Sequence, residues 1–374
     1  MANGSFDLDV SAEKTKLLTF FQLRTVMSSY SRSVLYATLY DPNLGDKPDW
    51  YDTVVGHLTA TQTQSQRWFD TVAPPLTALP QTYINFADSF LGQMPQLIAA
   101  MQSLIASQAP NDDKDLDTVK SILDELATIA RAQSNAIALR KSDLHAYLSD
   151  LAQAINGLTE GANTVNDAIA DEKKEVQDTT DAIAALQMQL QADIRAVIGS
   201  SVVAFVGLIG MIVAIALAVA NPVAGFIAGA VVGALTLAGG VIGTALTSVS
   251  VVADQNAIIQ KQSELSTENQ QVVVLNSLAL TLNRLTDTYK DPGFDLSGLA
   301  ATWSTMNTNL EDVRDLIIAE RTDKDGLRSV LADFNNLASM LEALTQFSTQ
   351  LQEAALTGDA TPIQILTIPT QQAA

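Results

Sequence analysis

The chain has 374 residues and a formal net charge of −20, with 47% hydrophobic but only 6% aromatic residues and no cysteine. Nucleic acid is excluded as a partner, because phosphate binding needs clustered Lys and Arg, and adsorption to anionic lipid headgroups is disfavoured for the same reason. Disulfides, thiolate metal sites and thiol nucleophiles are excluded outright, and the shortage of aromatic side chains argues against a large globular enzyme core.

The first 20 residues contain Asp7, Asp9, Glu13, Lys14 and Lys16 and no apolar run. A Sec-type signal peptide is therefore not expected, and export would use another route or a processed chain. Asn3, Gly4 and Ser5 form a glycosylation sequon, a short pattern that carries little meaning by itself. A first helical block is expected over 12–40, ending at the loop that holds Asp41, Pro42, Gly45 and Pro48. A second is expected over 50–72, stopped by Pro74 and Pro75, and a third over 81–107, with a kink or break at Pro95.

The fourth block is the most regular. Leu144, Leu148, Leu151, Ile155, Leu158, Ala162, Val165 and Ile169 step alternately by four and three, and the frame continues through Val176, Ile183, Leu186 and Leu190, interrupted only at Glu172 and Thr179. Upstream, Leu116, Val119, Leu123, Leu126 and Ala130 keep the same spacing. This is a heptad seam, the signature of helices packed side by side at shallow angles. With no proline between Asn111 and Arg195, one helix of about 80 residues is expected, on the order of 120 Å at ~1.5 Å per residue, so a rod.

The next segment carries the functional reading. From 196 to 253, between Arg195 and Asp254, there is no charged residue. Asn221 and Pro222, a turn-favouring pair, divide it into arms of about 25 and 30 residues, each meeting the roughly 20 needed to cross hydrocarbon as a helix. Val202, Phe205, Leu208, Ile212, Ile215 and Leu217 supply the apolar surface of the first arm, and Phe226, Val231, Leu235, Leu237 and Val241 that of the second. Gly225, Gly229 and Gly233 recur every fourth residue, a spacing that lets helix backbones approach in lipid. The expected division is thus 1–195 and 254–374 as two parts of a tail bundle, with 196–253 as a membrane-inserting hairpin. The bland alternative, a buried helical pair in a soluble bundle, fits less well, because such a core uses larger side chains and each glycine costs about 1 kcal/mol in a helix.

Beyond this segment the seam resumes with Ile258, Leu265, Val272, Leu275, Leu282 and Leu285, ending at Pro292 and Gly293. A final helical block follows up to Gly358, marked by Trp303, Met306, Leu310, Val313, Ile317, Leu327, Leu331, Phe334, Leu341 and Leu344. The tail after 360 contains Pro362 and Pro369 and reads as an extended strap or a mobile end.

Chemistry-bearing motifs are few. His57 and His145 are the only histidines, too few for a metal cluster or a triad. Asp113, Asp115 and Asp117 alternate as in a calcium loop, but Thr118 stands where an EF-hand needs glycine, and acidic residues at a helix start are explained by its dipole. Gly239, Gly240 and Gly243 lack the lysine of a phosphate loop. Trp50, Tyr51, Trp68, Phe69 and Trp303 read as plugs closing the bundle's ends. No nucleophile and base pair stands out, so the chain is not expected to be an enzyme or to hold a cofactor or metal.

The long heptad helices, the charge-free Gly- and Ala-rich insert split by Asn221 and Pro222, and the absence of cysteine together resemble the cytolysin A superfamily of bacterial α-pore-forming toxins, most of all components of the haemolysin BL, non-haemolytic enterotoxin and motility-associated killing factor type. That resemblance implies an all-α elongated bundle of about five long helices with a hydrophobic head, helical or β-tongue. It implies a secreted soluble form that shelters residues 196–253, inserts them into a target host-cell membrane, and forms a homo- or hetero-oligomeric pore with homologous components. The other readings of the same layout are a translocator subunit of a bacterial secretion system and a membrane-anchored coiled-coil scaffold. The scaffold would show a basic cluster beside its spans, where this chain has Asp193, Arg195 and Asp254.

Overall fold

The computed structural model describes residues 6, 8–35, 49–106, 113–168, 174–182, 184–185, 188, 273, 276, 283, 295–319 and 323–360. Nearly all of these are helical and none is in a strand. The helices are α1 (Val10–Leu35), α2 (Tyr51–Arg67), α3 (Ala73–Thr77), α4 (Leu79–Ala106), α5 (Asp113–Ala168), α6 (Ser297–Ala319) and α7 (Lys324–Ala360), with a π-turn at Trp68–Val72 between α2 and α3. Residues 174–182 are helical as well.

The starts of these helices follow from their sequences. Asp9 caps α1: its Oδ1 accepts the Ala12 N–H at 2.9 Å and its carbonyl the Glu13 N–H at 2.9 Å, satisfying donors that a helix start leaves open. Asp323 does the same for α7, accepting the Asp325 N–H at 3.0 Å on Oδ1 and the Leu327 N–H at 3.0 Å on its carbonyl. That cap divides the final block, expected to run up to Gly358, into two helices.

The prolines act differently from expectation. The helical path does not stop at Pro74 and Pro75: the π-turn closes with the Ala73 N–H on the Trp68 carbonyl, and both prolines follow directly in α3, Ala73–Thr77. Pro95 lies inside the unbroken 28 residues of α4. Its ring is on the exposed side, where the carbonyl it leaves without a donor can turn to water. α5 accounts for 56 residues of the expected 80-residue helix; residues 169–173 and 189–195 are outside those described, as are the seam positions from 258 to 285 named above and the tail after 360.

The chain divides into two units. The first takes Met1–Phe20, Pro75–Asp143 and Asp295–Glu353, and so draws on α1 up to Phe20, α4, α5 up to Asp143, α6 and most of α7. α5 and α6 run antiparallel, tied in reverse order by Asp124 with Arg314, Arg131 with Glu311, the Ser134 hydroxyl on the Ala300 carbonyl at 3.0 Å, and Lys141 with Asp295 at 3.2 Å. α4 and α7 are also antiparallel, with Gln352 Nε2 donating to Gln81 Oε1 at 3.1 Å and Phe90 6.4 Å from Phe334. The seam residues Leu116, Val119, Leu123, Leu126 and Ala130 are all buried. So are Met306, Leu310, Val313, Ile317, Leu327, Phe334, Leu341 and Leu344, whereas Leu331 is only half-buried and Val330 and Leu337 take the inner positions instead.

Trp303 is inside this core rather than at an end: it is 2% exposed, 4.9 Å from the Tyr83 ring and 5.2 Å from Phe86. Beside it Glu13 is buried with all its acceptors engaged. Lys16 Nζ reaches Oε1 at 2.5 Å, the Thr302 hydroxyl donates to Oε1 at 2.6 Å, and the Tyr83 hydroxyl donates to Oε2 at 3.1 Å. Phe6, 5.5 Å from Phe334, fastens the segment before α1 to the same unit.

The second unit takes Phe21–Pro74, Leu144–Phe294 and Ala354–Ala374. Its described helices are α1 from Phe21, α2, and α5 from Leu144, with α2 antiparallel to both. Gln62 Nε2 donates to the Val34 carbonyl at 3.3 Å and Trp68 Nε1 to Ser28 Oγ at 2.9 Å. Along α5, Arg67 meets Asp150 at 2.6 Å and the Thr61 hydroxyl meets the Ala154 carbonyl at 3.4 Å. Leu144, Leu148, Leu151, Ile155 and Leu158 form the buried face, as their spacing predicts, and Val176 and Thr179 are buried on the helical residues that follow.

Two outcomes follow for stability. Trp303→Ala empties a fully packed position and should cost about 3–5 kcal/mol, read as a fall in the urea midpoint, while Leu139→Ala, at a side chain 64% exposed, should leave the midpoint almost unmoved. Burial, then the Glu13 charge and hydrogen bond, hold the Tyr83 pKa well above the ordinary 10.0. The unfolded chain therefore gives up that proton first, so this stability is whole below about pH 10 and is lost as pH rises toward the folded value. Tyr83→Phe should flatten the alkaline decline in urea midpoint.

Candidate functional site

The sequence-predicted inserting residues, from Val202 to Val241, with the turn at Asn221 and Pro222 and the glycines at 225, 229 and 233, lie outside the described residues. The described residues hold no helix long and apolar enough to cross a membrane and no group of His, Asp and Glu side chains placed to hold a metal ion.

The polar cluster in the second unit is built on the π-turn. Trp68 opens the π-turn, continues the buried positions Tyr51, Val54, Leu58, Thr61 and Ser65 of α2 and lies fully in the core, where its ring is 5.5 Å from Tyr147 and its N–H is satisfied by Ser28. Arg67 stands over the Tyr147 ring at 5.8 Å while its guanidinium holds Asp150. Such π-turns occur often at functional positions; nothing in the sequence spacing announced this one. The Tyr147 hydroxyl is buried without a well-formed hydrogen bond. Burial pushes its pKa up, against weaker downward pulls from the nearby Ser31 hydroxyl and the Arg67 charge.

α2 approaches α5 closely at Gly157 and Gly161. A Cβ at Gly157 would stand 2.5 Å from His57 Nδ1, and one at Gly161 would stand 3.1 Å from Val54 Cγ2. His57 thus serves as packing against a bare stretch of helix backbone, and His145 is on the exposed side of α5. Of the carboxylates weighed and rejected as a calcium loop, Asp117 is 71% exposed and pairs with Lys120 at 3.6 Å.

Asp295 illustrates how the described acids are used. Burial works upward on its carboxyl, but hydrogen bonds from the Ser297 backbone and hydroxyl and from Lys141 outweigh it and hold the pKa below the usual range. It anchors the start of α6 to α5. Glu13, likewise, is enclosed by three donors, Lys16, Thr302 and Tyr83, and ties α1 to α6 and α4.

Residues 24–193 match the model of the family described as Bacillus haemolytic enterotoxin (HBL). Among solved structures, the chain is similar to SmhA of the tripartite α-pore-forming toxin Smh from Serratia marcescens, at 14% identity over 95% of this chain and 98% of that one, with a TM-score of 0.69. It is similar to the HblL1 toxin component of Bacillus cereus, at 17% identity over 89% and 95%, TM-score 0.61, and to the cytotoxin MakB of Vibrio cholerae, at 12% identity over 90% and 93%, TM-score 0.56. No curated protein matches the chain. Residues 24–193 thus carry the sequence pattern of the Bacillus haemolytic enterotoxin family, and the chain as a whole has the fold of the components of α-pore-forming toxins.

Proposed function

We propose that this protein is one component of a bacterial α-pore-forming toxin, secreted in a soluble form and acting on a target-cell membrane with homologous components. The observation that carries the reading is the charge-free segment 196–253, set in a chain with the sequence pattern and fold just described. In this reading 196–253 is the inserting hairpin and the remaining helices are its carrier. An apolar surface of that size left in water would drive aggregation, so the soluble form keeps it sheltered until lipid or a partner component releases it.

Attachment is apolar rather than electrostatic, since a net charge of −20 is repelled by anionic headgroups. Each arm has the length to span, and Gly225, Gly229 and Gly233 form a smooth stripe on which another helix can rest in lipid. The protein works without catalysis: its action is insertion and assembly, with no cofactor or metal.

The test is release of a trapped dye from neutral-lipid vesicles by the full chain, alone and with companion components. Deleting 196–253 is expected to abolish release. Gly229→Glu, which places a charge in mid-arm at a cost of about 2.5–3.5 kcal/mol, is expected to reduce it strongly, and Gly229→Leu to reduce it by spoiling close packing. Undiminished release by Gly229→Glu would overturn insertion of this segment.

A further inference from the structure

Two helices of the first unit present charges that no described residue answers. On α5 the exposed residues Thr128, Ala132, Asn135, Leu139 and Ser142 step by four and three. That is the spacing of a helix-packing stripe, on the side of α5 opposite its buried seam. None of the five is charged, and Leu139, at 64%, is the most exposed of the large hydrophobic side chains described.

Beside this stripe is Arg140. Elsewhere on α5, Lys120, Arg131 and Lys141 each hold a carboxylate, on Asp117, Glu311 and Asp295. Arg140 holds none: its Nη1 is buried with no hydrogen-bond partner, and burial lowers its pKa with no carboxylate acting in the other direction. A half-buried cation without a counterion costs stability, and it is out of place in a chain with 41 acids against 21 bases. From 126 to 142, α5 has no acid to supply one.

α7 presents the complement. Its exposed residues Asn335, Ser339, Glu342, Gln346 and Thr349 repeat the same spacing, and Glu342 is the one charge among them. α7 has no Lys or Arg after Arg328, so no cation stands three or four residues from Glu342, where a helix pair would form. Two copies of a chain with a net charge of −20 repel one another, and they can meet only where acids are sparse or matched.

We propose that the outer stripe of α5 docks on the outer stripe of α7 of a second copy of this chain, with Leu139 in the contact and Arg140 paired with Glu342 of that copy. The occupant is a second copy because one chain carries both halves of the match. The two patches differ, so the contact is heterologous, and its repetition closes into a ring or extends as a filament. This deepens the toxin reading and rests on it for its purpose, since a pore is an assembly of neighbouring copies.

The test exploits the absence of cysteine. Full chains carrying Asn135→Cys or Ser142→Cys are mixed with chains carrying Gln346→Cys under a mild oxidant, in solution and on phosphatidylcholine vesicles, and the disulfide-linked dimer is measured. The better mixture is expected to yield about tenfold more dimer than either variant alone, because docking raises the effective concentration of the two thiols. Ser304→Cys, at an exposed site on α6, replaces Gln346→Cys as the control and is expected to match the single variants. Arg140→Glu in the α5 variant and Glu342→Arg in the α7 variant are each expected to cut the yield about fivefold, and the two together to restore it. No excess of dimer in either medium, or a yield unchanged by Glu342→Arg at its exposed site, would overturn the proposal whatever Arg140→Glu does to folding. Failure of the toxin reading registers separately, as absence of dye release, which the cross-link in solution does not require.

Discussion

A helix that offers a single narrow apolar stripe must find a partner at every turn, and α5 imposes that demand over 56 residues. Its seam, from Leu116 through Ala130 and from Leu144 to Leu158, is buried throughout. An isolated helix of this kind gains little from propensity and almost everything from packing. The antiparallel ladders of α6 along its first half and α2 along its second are the consequence. Polar ties such as Lys141 with Asp295 and Arg67 with Asp150 are largely exposed and contribute little free energy each. They align helices that the seam already holds.

The same dependence explains how much of the fold the sequence disclosed. Heptad spacing predicts burial because an inward position stays inward under 3.5-residue periodicity, and nearly every seam residue within the described part is indeed buried. Leu331 is an exception: Val330 takes the inner position because α7 begins its own count at the Asp323 cap, and the final block expected up to Gly358 is two helices. Proline was the poorest guide. It breaks a helix by removing a donor and clashing one turn back, but at Pro74 and Pro75 the widened π-turn stands one turn back, and at Pro95 the lost donor is met by water on an exposed side. These circumstances depend on where a turn begins and which side faces solvent, which a residue's identity does not encode.

The candidate site divided along a similar line. Lack of charge from 196 to 253 is a property of composition and is legible without a structure. The Trp68 cluster is not: it depends on Ser28 and Tyr147, which lie 40 and 79 positions from Trp68. A sequence reading that assigned Trp68 and Trp303 to the ends of a bundle weighed their bulk. It had no means of seeing that each has a packed aromatic partner in a separate core.

Polar seams and close glycine contacts in the second unit have a common physical meaning. Gly157 and Gly161 let α2 lie against α5 at short range, but helical glycines and buried hydroxyls both cost stability that leucine would have supplied. Natural helices built for stability alone replace such positions with Ala and Leu. Each unit nonetheless keeps an aromatic core, Trp303 with Tyr83 and Phe86 beside the bonded Glu13 in the first and Trp68 on Tyr147 in the second, so the glycine contacts and buried hydroxyls are local concessions within cores held by large apolar side chains.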